Sequence, residues 1–150
     1  MSVIGKRVIF VGPADGANSK PLNVEGVALD AIAPGTLVVA STSGLAVSAA
    51  AATVFGEITL IAGKDSMRQK SIDDAWVISE NMVSHNPRSG EFYNVLTVTG
   101  QVLVADKTAL TRNGSGLLVI AATDGSQEIV AIAGETVTTI ATQLVCVRFV

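Results

Sequence analysis

The sequence predicts an all-β protein: a small β-barrel or β-sandwich, built from a duplicated β unit and carrying an inserted loop segment. Three observations carry that expectation. β-Branched residues are dense, with 21 Val, 11 Ile and 13 Thr among 150 residues, and such side chains fit a pleated sheet better than a helix. Short apolar-rich runs of four to nine residues recur between turn signals, with little sustained 3.6-residue periodicity. The chain also echoes itself: "SGLAV" at 43–47 returns as "SGLLV" at 115–119, and "LIAGK" at 60–64 returns as "AIAGE" at 131–135.

In the first half, strands are expected near Val3–Val11, Val24–Asp30, Thr36–Ala40, Leu45–Ser48 and Val54–Ile61. "APG" at 33–35 and "TSG" at 42–44 supply turns, because glycine accepts the positive φ that tight turns need. The alanine-rich run "AVSAAAATV" at 46–54 has helix-forming composition. Thr53-Val54-Phe55 resumes β character at once, so a strand running into a short loop is expected there.

The segment 63–90 differs in kind. It holds Lys64, Asp65, Arg68, Lys70, Asp73, Asp74, Glu80, His85 and Arg88, a dense share of the 24 charged or histidine residues. It reads as an insertion or extended loop region within a single β domain spanning 1–150. Loops of that length are usually functional or mobile. "SIDDAW" can open one helical turn, with Ser71 as cap and Asp74 returning its carboxylate three residues later. One further strand is expected near Ala75–Ser79.

The second half is expected to hold strands near Tyr93–Thr99, Gln101–Ala105, Gly116–Ala121, Glu128–Ile132 and Leu144–Phe149. Asn113-Gly114 and Asp124-Gly125 are the strongest hairpin signals. Alternation is cleanest in "QLVCVRFV": Leu144, Cys146 and Arg148 face one way, and Val145, Val147 and Phe149 the other.

Composition narrows the function classes. Hydrophobic residues reach 49% and charged residues only 15%, against about 25% charged in an average domain. A membrane span is not expected, because the longest apolar candidate, Leu45 to Ile61, is broken by Ser48, Thr53, Gly56, Glu57 and Thr59. The start "MSVIGKRVIFVGPADG" does not read as a signal peptide. With a net charge of −3 and 4% aromatics, no nucleic-acid groove or base-stacking platform is expected. The single cysteine, Cys146, excludes an internal disulfide and reads as a small apolar side chain in a strand.

No catalytic, cofactor-binding or metal-ligating set is expected, and no cofactor. His85, the only histidine, has no ligand spacing with Cys146. Ser115 sits in "NGSGL" rather than a nucleophile elbow. "AGKDS" at 62–66 lacks the first glycine and the hydroxyl residue of a phosphate loop. The candidate functional residues are instead interfacial: Trp76, Arg68, Arg88, Phe92 and Tyr93, since aromatic and arginine side chains anchor protein interfaces. Trp76 has two readings, one as an anchor for a neighbour and one as a pin holding the insertion to its own barrel.

"EGVALDAIAPGTLVVASTSGLAVSAAAATVFGEI", residues 25–58, resembles a segment of the capsid decoration, or cement, proteins of tailed bacteriophages. There a strand–turn–strand unit runs into a small-residue hairpin and a further strand. The resemblance covers roughly Val24 to Ile61, more loosely Gln101 to Ile132, and not 63–90. It implies a small β-barrel or sandwich that is not an enzyme. It implies a homo-oligomer, a trimer, bound to the major capsid protein on the outer capsid surface of the virion and made in the host cytoplasm. No nucleic acid or membrane is implied as a partner. An alternative in the same structural class is a head-fibre base or other surface or adhesion module. A less favoured one rests on "PRSG" at 87–90, which resembles the second motif of trimeric dUTPases, where arginine and serine contact phosphate.

Overall fold

Along the last strand, Val145, Val147 and Phe149 are buried while Cys146 and Arg148 between them are only half-buried. This is the period-2 pattern of a strand with one face in a core. A computed structural model describes residues 6–13 and 21–150. The expected strand near Val3–Val11 lies partly outside those residues. The described chain is all-β, with strands β1 (Phe10–Pro13), β2 (Leu22–Val27), β3 (Leu37–Ser41), β4 (Gly44–Val47), β5 (Leu60–Ala62), β6 (Asn81–Asn86) and β7 (Glu91–Thr97). The remainder are β8 (Val102–Leu103), β9 (Ala109–Arg112), β10 (Leu118–Ile120), β11 (Ala131–Ala133), β12 (Val137–Thr138) and β13 (Gln143–Phe149).

Five strands of the second half close on themselves in the order β7-β10-β9-β11-β13, because β13 also pairs with β7. The closing contact on the other side is a parallel pairing of Leu118 with Thr97. The first half repeats this plan. Its order is β2-β6-β5-β3-β4, and a parallel bridge from Ala28 to Leu45 joins β4 back toward β2.

The ladders of the two rings coincide in register, not only in order. Val38 with Val47 matches Leu110 with Ile120, and Ala62 with Ser84 matches Ala133 with Val147. The Gly63 N–H donates to the Val83 carbonyl at 2.9 Å, and its counterpart Gly134 donates to Cys146 at 2.8 Å. The Ile32–Trp76 bridge corresponds to the Leu103–Val137 pair of β8 and β12. The chain is therefore a tandem of one barrel plan. The echo of 60–64 in 131–135 aligns β5 with β11 residue for residue, whereas the echo of 43–47 in 115–119 falls on β4 and β10 one residue out of the structural register, which equates Leu45 with Leu118. Each barrel has its own core, one around Ile32, Leu45, Trp76 and Met82, the other around Tyr93, Val95, Leu110 and Val147. The second takes in Leu37, Ile61 and Ile72 from the first half, so the barrels share apolar contact.

Several expected elements differ. Strand β6 occupies 81–86, so the loop expected over 63–90 narrows to 63–80. Strands β6, β9 and β12 were not anticipated. Residues 54–59 form a loop instead of a strand, with Gly56 at φ 83° and a turn closed by Val54 N–H on the Ala51 carbonyl. Of the expected strand at 75–79 only the Trp76 bridge exists, and Ser79 adopts φ 73°. Asn113-Gly114 does turn β9 into β10, with Asn113 Oδ1 accepting from the N–H groups of Ser115 and Leu117. Asp124-Gly125 forms a turn, but the flanking β10 and β11 pair with β9 rather than with each other.

Gly35 sets how closely the barrels approach. Its N–H donates to Ala62 in the first barrel at 2.9 Å, and its carbonyl accepts from Leu96 in the second at 2.9 Å. It sits at φ 87°, and an added Cβ would fall 2.3 Å from Leu144 Cδ2. Gly125 has a similar φ of 77° with nothing within 4 Å of such a Cβ. Gly35→Ala is therefore expected to destabilise by about 3 kcal/mol or more and Gly125→Ala by about 1 kcal/mol. Urea unfolding of both variants checks the ordering, and equal losses would show that the barrel contact tolerates displacement.

Candidate functional site

The residues expected at an interface separate into two groups. Trp76 is 3% exposed. Its ring packs in the first core and its Nε1–H donates to the Gly63 carbonyl at 2.7 Å. Tyr93 is buried in the second core, edge-on to Phe149 and tilted against Phe10. Neither presents a surface to a partner, so both are corrected to core residues, and Trp76 is the pin of its own loop. Phe92 is half-buried. Arg68 and Arg88 keep their guanidinium groups about half exposed, with side-chain exposures of 50% and 57%.

Arg68 is held within the 63–80 loop. It pairs with Glu80 and lies 3.7 Å from Asp65, while Lys70 reaches the same two carboxylates. Glu80 is shifted to lower pKa, chiefly by the Val77 backbone N–H and secondarily by the two cations. The turn at Ser71–Asp74 has the expected reciprocal cap: Asp74 Oδ2 accepts from Ser71 N–H and Ser71 Oγ accepts from Asp73 N–H. "PRSG" forms the connector between the barrels. There Arg88 donates to Glu91 from its backbone N–H at 2.8 Å and from its guanidinium at 3.0 Å. His85 lies beside Asn23, Nδ1 to Oδ1 2.8 Å, and burial lowers its pKa against a smaller opposing effect of Glu91. Among the described residues no group of three or more His, Cys, Asp and Glu side chains is gathered for a metal ion.

The residue that sequence reasoning missed is Arg112. It is 1% exposed and ends β9. Its guanidinium donates to Thr59 Oγ1 at 2.9 Å, to Glu128 Oε2 at 2.5 Å and to the Val54 carbonyl, and lies 3.9 Å from Glu57. Glu57 also accepts from Ser48 Oγ at 2.6 Å, and Glu128 from Gly56 N–H at 3.3 Å. The Glu128 N–H donates to Ala52 at 2.9 Å. The loop 49–59 of the first barrel is thus tied to the second by one buried cation and two carboxylates. Little in the sequence marks it, because "KTALTR" holds a second charge, Lys107, and two threonines, and Arg112 stands next to a turn as exposed arginines often do.

Fastened in this way, the loop turns apolar side chains outward. Phe55 is 62% exposed and Ile58 71%, with Val54 beside them. Ile129 and Val150, also exposed, border the same shallow depression as Ile58 and Arg112. Val54, Phe55 and Ile58 thus stand exposed within five residues of one loop, which makes that loop the candidate contact site. Comparison with known protein families and with characterised proteins finds no match to this chain.

Removing one partner of a buried ion pair leaves the others uncompensated. Arg112→Ala is expected to cost about 3–5 kcal/mol and to open the loop. Urea unfolding measures the first, and limited proteolysis within 49–59 the second. A loop that stays protease-resistant would show that Arg112 does not hold it.

Glu91 gives a pH-dependent term. Burial acts to raise its pKa, but the hydrogen bonds and charge of Arg88 outweigh burial, and the net shift is downward from 4.5. A depressed carboxylate stabilises the fold above its unfolded pKa, and that contribution is lost as pH falls through the folded value. The parent is therefore expected to lose more stability than Glu91→Gln between neutral pH and pH below 4.5. Equal losses in paired urea titrations would remove Glu91 from the acid response.

Proposed function

We propose that this protein is a structural, non-enzymatic component of a tailed-bacteriophage head. It binds the outer surface of the capsid as a homo-oligomer and stabilises the shell by bridging subunits of the major capsid protein. The observation that supports this best is the set of exposed apolar side chains Val54, Phe55 and Ile58 on the loop that Arg112 fastens to the second barrel. A protein that resists outward pressure needs a stiff body and a flat apolar contact, repeated many times. Repetition over a lattice multiplies a modest affinity by avidity. The segment carrying the resemblance runs from β2 through the β3–β4 hairpin into this same loop. The threefold assembly that the resemblance implies suits the local threefold positions of a shell.

The test is co-sedimentation with purified heads of the encoding phage assembled without this chain. The parent is expected to pellet with the heads, and Phe55→Asp to bind about thirtyfold more weakly while keeping a native circular dichroism spectrum. A parent that leaves the heads unbound overturns the functional reading. A Phe55→Asp protein that binds like the parent moves the contact to another face.

A further inference from the structure

The tandem barrels differ at one equivalent edge. In the second barrel the edge of β7 away from β13 is covered by β1, with Phe10 opposite Tyr93 and Gly12 opposite Phe92. The Asn94 N–H there donates to the Ile9 carbonyl at 2.7 Å. The register places β2 where β7 stands, so Val24 corresponds to Tyr93, Asn23 to Phe92 and Glu25 to Asn94. Among the described residues no strand lies on that edge of β2 over 22–26. The Val24 carbonyl accepts from Ser84 Oγ, and the Ala28 N–H donates to Glu80, so the even-numbered residues turn their backbone groups toward β6. Asn23 and Glu25 therefore direct N–H and C=O groups outward, and both side chains are exposed. Natural proteins protect open edges with prolines, bulges or rows of charge. β2 is six residues long and carries one charge.

We infer that β2 is a self-pairing edge, which joins β2 of a second copy antiparallel in a register centred on Val24. Three constraints select that register. Only residues whose backbone groups face outward can form the hydrogen-bonded pairs. Pairing Asn23 with Glu25 of the partner meets this and gives each carboxylate an amide opposite it. Centring on Glu25 would set two carboxylates face to face, which is destabilising. Centring on Asn23 would put Pro21, which has no N–H, opposite Glu25. The chosen register also sets half-exposed Leu22 opposite Gly26, which has no side chain. The occupant is a second copy because the edge complements itself, and because the twin edge shows that this fold covers the position with an antiparallel strand. In a trimeric assembly the same contact joins two trimers about a twofold axis. The inference does not rest on the capsid reading.

The experiment is sedimentation equilibrium of the parent, Asn23→Lys, Asn23→Glu and Glu25→Pro. The parent is expected to form an even-numbered assembly. Asn23→Lys places two new ion pairs across the twofold axis and tightens it on the order of tenfold at low salt, whereas Asn23→Glu opposes like charges and weakens it by a similar factor. Glu25→Pro removes an outward N–H without touching the β6 ladder and abolishes the contact. Hydrogen exchange gives a second measurement, with the Asn23 and Glu25 amides gaining protection as protein concentration rises. A monomer or an isolated trimer overturns the inference. So does an even-numbered assembly that all three variants leave unchanged, even if the protein still binds phage heads.

Discussion

The guanidinium of Arg112 is the interaction on which the rest of the molecule depends. Among the described residues it is the largest side chain fully withdrawn from solvent. Burying a cation costs several kcal/mol, which is offset only when charge and hydrogen bonds surround it. Arg112 meets that condition with parts that come from elsewhere: Thr59, the Val54 carbonyl and Glu57 from the first barrel, and Glu128 from the second. Only its Nε lacks a partner. The planar fork of arginine suits this, since its donors point several ways at once. A loop of eleven residues with no ladder of its own thereby acquires partners for its backbone and a fixed outward face.

The apolar excess of the composition finds part of its explanation in the tandem. Two barrels have two cores, and they also bury surface against each other. Leu144 shows the consequence. By strand alternation it belongs on the outer side with Cys146 and Arg148, yet it is 2% exposed, because Gly35 and its turn press on it from the first barrel. A strand that is outward-facing in an isolated barrel becomes two-sided where the second barrel covers it. What the tandem does not cover, including Phe55, Ile58 and Ile140, remains on the surface.

Much of the fold was legible because periodicity and turn chemistry are local. The all-β class, the repeat behind the two echoes, the hairpin at Asn113-Gly114 and the buried face of Val145, Val147 and Phe149 all follow from neighbours in sequence. β6 was hidden because its inward pair is Met82 and Ser84 and its outward residues include Asn81 and His85, so polarity masked the alternation. The loop at 54–59 was hidden for the opposite reason, since Val54, Phe55 and Ile58 have strand composition but are held by a residue more than fifty positions away. Arg68 and Arg88, expected at an interface, lie half-exposed and paired with carboxylates close by in sequence. Arg112 looked like any charge next to a turn, because its burial depends on the other barrel.

Trp76 shows why composition misled where packing decides. Aligned by register, the first barrel holds small inward residues where the second holds large ones: Gly26 for Val95, Ser84 for Val147 and Val24 for Tyr93. Interiors pack at near-crystalline density, so a barrel missing that much volume would collapse or leave a void. The compensating position is the one that bridges Ile32, where the second barrel has only Val137 opposite Leu103 and the first has Trp76. The indole fills the space, and its polar end finds the Gly63 carbonyl inside the barrel. The 63–80 loop is longer than its counterpart after β11, and its extra residues carry the Asp65, Arg68, Lys70 and Glu80 cluster close beside the tryptophan. A lone tryptophan in a charged segment is therefore the volume that lets one barrel plan fold twice with two different sets of core residues.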